Sequence, residues 1–126
     1  MNKMYRYSEE DTNSIKELLL WRTVVEVRGG SFILDNGVEL KVIPNEGCIC
    51  GAGDYYIEKM VTVPHAITDV WFSDESSEYL GTKHTYKIFV LAFNMQEHEL
   101  LVVEGDDGHG YCGTGYEIEV TFPYDN

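Results

Sequence analysis

Between Thr23 and Pro44 the chain alternates short β-branched or apolar runs with glycine turns, a spacing that leaves little choice but an antiparallel meander. Thr23–Arg28 meets Gly29-Gly30, a two-residue hairpin signal, and continues as Ser31–Leu34. Asp35-Asn36-Gly37 forms the next turn, and Val38–Ile43 runs on until Pro44, which has no N–H to give a ladder, closes it. Further strands are predicted at Tyr55–Val63, Ala66–Phe72, Thr85–Phe93 and Glu99–Glu104. The last, Tyr116–Phe122, alternates, with Ile118, Val120 and Phe122 inward and Glu117, Glu119 and Thr121 outward. Ahead of the strands, Asp11 or Thr12 can cap one short amphipathic helix that carries Ile15, Leu18 and Leu19 on one face and ends near Trp21. The fold class is therefore α+β, mostly antiparallel β-sheet with one short N-terminal helix. No repeat, linker or low-complexity tract divides the 126 residues, which read as a single domain, 1–126.

Two glycine-rich stretches interrupt the strands. Gly47-Cys48-Ile49-Cys50-Gly51-Ala52-Gly53 is one, and Gly105-Asp106-Asp107-Gly108-His109-Gly110-Tyr111-Cys112-Gly113-Thr114-Gly115 is the other. Together they hold all three cysteines and eight of the twelve glycines. Backbone that folds tightly around an ion often needs positive φ, which glycine tolerates best, and glycine amides can point at thiolate sulfur. Cys48 and Cys50 form C-x-C, while His109 and Cys112 form H-x-x-C, close to the spacing of zinc knuckles. Cys48, Cys50, His109 and Cys112 complete a tetrahedral Cys₃His set for Zn²⁺, and four protein ligands leave no position for water or substrate. Such a zinc ion staples the fold and does no chemistry. Ordinary reduced cysteines in turns, or a Cys–His nucleophilic pair, are the competing readings. Three thiolates are one short for an iron–sulfur cluster, and no His-x-Glu stands before a Pro-Cys-x-x-Cys, as a zinc deaminase requires. Asp106-Asp107 lacks the regular oxygen ligands of a calcium loop. An odd cysteine count with no secretory leader also argues against a disulfide framework.

Charge narrows the partner. The formal net charge is −13, from 22 acids against nine bases, and between Ile88 and Asn126 there are eight acids and no lysine or arginine. Such a chain repels phosphate, which disfavours nucleic acid and anionic membranes; its acidity either attracts a basic protein surface or serves solubility alone. The longest apolar run, Ile88–Phe93, is far shorter than a bilayer span. His65, His84 and His98 stand alone and read as surface or satisfied histidines. Tyr55, Tyr56, Trp71, Phe72, Tyr86 and Phe89 read as core or sheet-surface residues; for Trp71, beside Asp74-Glu75, core packing is favoured over a place as an interface anchor.

The stretch Trp21–Tyr56, with Asp35-Asn36-Gly37, Pro44-Asn45-Glu46-Gly47 and the Cys48-x-Cys50-Gly51-Ala52-Gly53-Asp54-Tyr55-Tyr56 run, resembles a family of small phage proteins, as does the stretch Gly105–Tyr116. The resemblance covers roughly residues 21–122. Where many members have another residue, this chain has His109 and Cys112, and His109 is the ligand the resemblance supports least. Members with this metal-type pattern and acidity look similar to phage-encoded type II-A anti-CRISPR proteins that inhibit Cas9. That implies a non-enzymatic protein of the host bacterial cytoplasm, with structural zinc. It would bind Cas9 or the Cas9–guide RNA complex stoichiometrically and block target DNA, with no nucleic-acid, membrane or small-molecule partner of its own. Cas9 holds nucleic acid in positively charged channels, so the base-poor acids Asp74, Glu75, Glu78, Glu97, Glu99 and Glu104 are the expected contacts. Two other functions fit the same residues: a metal-dependent enzyme with an open coordination position, and an acidic phage accessory module without a Cas9 target.

Overall fold

The computed structural model describes residues 2–6, 9–44, 55–77, 83–106 and 116–123. In chain order the elements are β1 (Asn2–Arg6), α1 (Glu9–Leu19), β2 (Val24–Arg28), β3 (Ser31–Leu34), β4 (Glu39–Pro44), β5 (Tyr55–Met60), β6 (Ile67–Ser77), β7 (Lys83–Ala92), β8 (Glu97–Asp106) and β9 (Tyr116–Thr121). They form two antiparallel sheets, ordered β1-β9-β4-β3-β2 and β5-β8-β7-β6. The α+β, mostly antiparallel class follows directly.

The meander forms because its turns have the right residues. Gly29 and Gly30 both take positive φ, the requirement of a tight two-residue hairpin, and β2 pairs with β3 across them. Gly37 closes the next turn at φ 86°, and a Cβ there would lie 2.9 Å from Pro123 Cγ. The inward positions then alternate: Phe32, Leu34, Leu40, Val42, Ile118 and Val120 from the five-stranded sheet are all buried. From the other sheet come Ile67, Val70, Tyr86, Ile88, Val90 and Val103, and the two sets share one core with Ile15 and Leu19 of α1. A bulge between Ile88 and Phe89 in the β7–β8 pairing lets consecutive Leu100 and Leu101 both bury fully.

Several boundaries differ from the sequence expectation. The helix begins at Glu9, ahead of the expected Asp11 or Thr12 cap, and ends at Leu19. Residues 2–6, which are not among the strands expected from sequence, form an edge strand that pairs with β9 from Asn2↔Thr121 to Arg6↔Glu117. No β-branched residue marks that strand; the open edge of β9 supplies the ladder. β6 runs on through Ser73–Ser77 because β7 offers partners as far as Lys83, overriding a polar local sequence. β5 stops at Met60, three residues short of the expected Val63, which instead bridges to Val24 of β2.

Candidate functional site

Two places in the fold bear on the residues singled out by sequence. The first is the end of the molecule where the chain crosses between sheets. Segment 45–54 joins β4 to β5, and segment 107–115 joins β8 to β9. Cys48, Cys50, His109 and Cys112 lie in these segments, outside the described residues, as does Glu78. The described residues that flank the segments are side by side. Pro44 is the register partner of Tyr116, and Tyr55 is the register partner of Gly105. The Tyr86 ring ties the two sheets together here, 5.9 Å from the Tyr55 ring and 5.9 Å, edge-on, from the Tyr116 ring. His84 stacks on Tyr86 at 4.4 Å in the same cluster. Both crossings therefore start and finish at one end of the core. Among the described residues no group of three or more His, Cys, Asp or Glu side chains is placed to hold a metal.

The second place is the outward face of the β5–β8 sheet. Cross-strand partners share a face, so the register defines its rows. One row runs Glu75, Thr85, Glu104, Tyr56; the next runs Ser73, Lys87, Val102, Lys59; then come Trp71, Phe89, Glu99 and finally Asp69, Leu91, Glu97. Trp71 and Phe89 are half-buried and stacked, with centroids 5.7 Å apart and planes 11° from parallel. The expectation of core packing for Trp71 is corrected: its position faces away from the core, and the stack with Phe89 supplies its burial. Val102 also faces outward yet is only 5 % exposed, flanked in register by Lys59 and Lys87, whose stems can cover apolar surface.

Electrostatics on this face centre on Glu99. Lys59 Nζ donates to Oε1 at 3.3 Å and Lys87 Nζ sits 3.0 Å from Oε2. The hydrogen bond from Lys87 is the main reason the Glu99 carboxyl titrates below its ordinary value, with Lys59 adding to it. The same bond raises the Lys87 ammonium, which also lies 5.9 Å over the Phe89 ring. Tyr56 donates its hydroxyl to Glu104 Oε2 at 2.9 Å, which raises the phenol. Asp69 is held below the usual carboxylate range, first by the Val70 amide and then by Lys16 at 3.2 Å.

Of the acids expected to meet a partner, Glu75, Glu97, Glu99 and Glu104 share this face. Asp74 is exposed but stands opposite Tyr86, on the inward side of the register. Glu99 is already engaged by two lysines of its own chain. Among the histidines, His65 is exposed, while His98 faces inward opposite Val90 with its Nε2 lacking a hydrogen-bond partner among the described residues. Sequence reasoning overlooked three exposed apolar residues at the other end of the core, Trp21, Phe93 and Met95. The available signal was a large apolar residue placed where a turn favours Gly or Asp.

The chain belongs to the family described as Domain of unknown function (DUF7448), whose match spans residues 17–118, from within α1 to within β9. No curated protein and no solved structure matches the chain.

Proposed function

We propose that this member of DUF7448 works by stoichiometric binding, docking its acidic body on a basic nucleic-acid-handling protein, with the bacterial Cas9 effector as target and zinc as a structural staple. The observation that carries the reading is the gathering of Glu75, Glu97, Glu99 and Glu104 on one outward face that also presents Trp71 and Tyr56. Aromatic anchors within a charged surround are the usual make-up of an energetic contact surface. A net charge of −13 steers such a face toward the positively charged channels in which Cas9 holds its guide–target duplex. Occupying such a channel blocks target DNA without any catalytic step.

The zinc reading, on Cys48, Cys50, His109 and Cys112, is supported by the strand ends. Pro44 beside Tyr116 and Tyr55 beside Gly105 start both cysteine-bearing segments from one end of the core. Three thiols and an imidazole are a donor set that suits Zn²⁺. Bound there, the ion cross-links the two crossings between sheets, and its binding free energy becomes folding free energy.

Binding to Cas9, with and without guide RNA, tests the function. The expected result is a one-to-one complex that weakens as salt rises and blocks target-DNA cleavage at saturation. Unimpaired cleavage at saturating protein would end the Cas9 reading. Elemental analysis of the purified protein tests the staple: one zinc per chain is expected, with Cys112→Ser losing it along with several kcal/mol of an apparent ~10–16 kcal/mol binding energy.

A further inference from the structure

One hairpin turn in each sheet is built alike and filled differently. Between β3 and β4, Leu34 donates its N–H to Val38 O at 2.9 Å and Gly37 donates to Leu34 O at 2.9 Å, while Asn36 Oδ1 accepts from the Val38 N–H at 3.2 Å. Between β7 and β8, Ala92 donates to Gln96 O at 2.9 Å and Met95 donates to Ala92 O at 2.8 Å, while Asn94 Oδ1 accepts from the Gln96 N–H at 3.2 Å. Position for position, Asp35-Asn36-Gly37 corresponds to Phe93-Asn94-Met95. The third residue is left-handed in both, at φ 86° for Gly37 and 66° for Met95. The first turn uses the residues its backbone and its solvent exposure favour. The second does not.

Met95 is disfavoured twice over. Its Cβ crowds the backbone at positive φ, and its side chain is 78 % exposed to water. Phe93, in the place of Asp35, is 70 % exposed. Trp21 repeats the pattern: it lies just past α1, where a left-handed cap is usually glycine, with φ 67° and 65 % exposure. The three are fastened to one spot, since Trp21 donates its N–H to Ile67 O and Phe93 donates to Ala66 O, each at 2.7 Å. Neither folding nor solubility accounts for these residues. The first turn shows that the same backbone is made from Asp, Asn and Gly.

We infer that Phe93 and Met95, with Trp21 beside them, form an apolar anchor that enters a pocket on a basic partner protein. The inference rests on the binding reading above and names its contact. Charge selects the occupant. A second copy carries the same −13 and an anionic membrane repels it, whereas a basic protein does not. Position agrees, because Phe93 directly follows β7, whose Phe89 and Leu91 stand on the outward face, and Glu97 opens β8 just after the turn. The acidic face steers, and the turn inserts.

The test grafts the first turn's residues onto the second, as Phe93→Asp with Met95→Gly, and compares this double variant with the parent chain. The unfolding midpoint is expected to rise by about 2–5 °C, and affinity for the Cas9–guide RNA complex to fall about thirtyfold or more. A lower midpoint would overturn the inference without reference to any partner, because the residues would then be serving the fold. Parent-level Cas9 affinity in the variant would overturn the anchor and leave the binding reading standing. Failure of the parent itself to bind Cas9 would remove that reading, and the anchor with it. Reversible dimerisation of the parent, lost in the variant by sedimentation, would assign the turn to self-association and overturn the inference.

Discussion

The two sheets contribute matching inner faces and contrasting outer ones. On the five-stranded sheet the outward positions of β2, β3, β4 and β9 are Val25, Glu26, Arg28, Ser31, Ile33, Glu39, Lys41, Ile43, Glu117, Glu119 and Thr121, with no aromatic among them. Two of the contacts on this face join near neighbours: Ser31 donates its hydroxyl to Glu39 at 2.8 Å, and Arg28 sits 3.5 Å from Glu26. Among the residues whose side chains are described, the outward positions of the four-stranded sheet hold a stacked Trp71–Phe89 pair, an exposed Tyr56 and five carboxylates against two lysines. A face kept only for solubility needs charge but no tryptophan. Under the proposed binding reading, the four-stranded sheet would carry the working surface and the five-stranded one would support it.

The largest expected effect tests the matched half of that contrast. Leu40→Ala and Leu101→Ala each empty a fully buried site in the shared core, one from each sheet, and each should cost about 2–5 kcal/mol in chemical denaturation. A cheap Leu40 change would mean that the supporting sheet is only loosely joined. Next comes the contrast itself. Trp71→Ala should weaken Cas9 binding by about 2 kcal/mol, a thirtyfold loss, while Ile33→Ala on the opposite sheet leaves affinity unchanged. Equal losses from both would erase the distinction between faces. A smaller effect separates the turns: Gly37→Ala should destabilise by about 1–2 kcal/mol, from positive φ and from the Pro123 ring beneath it.

The smallest effect is electrostatic. Glu99 titrates low in the fold, so its contribution is present above the unfolded carboxylate's value and is lost as pH falls through the depressed folded value. Lys87 titrates high, so its contribution is present below the unfolded ammonium's value and is lost as pH rises through the raised one. Between those limits the pair is insensitive to pH. Both groups are solvent-screened, and Lys87→Met should cost only about 0.2–1 kcal/mol at neutral pH. In that variant the acid-side loss should shrink in an acid titration of stability, because the main partner of Glu99 is gone.

Legibility followed the strength of local signals. Ser31–Leu34 was readable to the residue because glycine turns bracket it and its inward positions are apolar. Tyr116–Thr121 was readable because its alternation is strict. Residues 2–6 and Ser73–Ser77 were not, since their strand state comes from a neighbour's ladder and not from their own propensity. The acids of the candidate face were visible as a base-poor composition, but their gathering depends on register across three strands. Trp71 was placed in the core because aromatic residues usually bury there, and only the pairing with Phe89 reveals an outward stack. Met95 carried only the weak signal of an apolar residue in a turn, since its φ belongs to the turn and not to the residue type.

Hydrogen exchange on the Cas9–guide RNA complex, compared with the free chain, tests the central claim most directly. The expected result is slowed exchange across 69–75, 85–97 and 99–104, with 31–43 unchanged. Protection confined to 31–43 and 117–121, or a profile identical with and without Cas9, would contradict it.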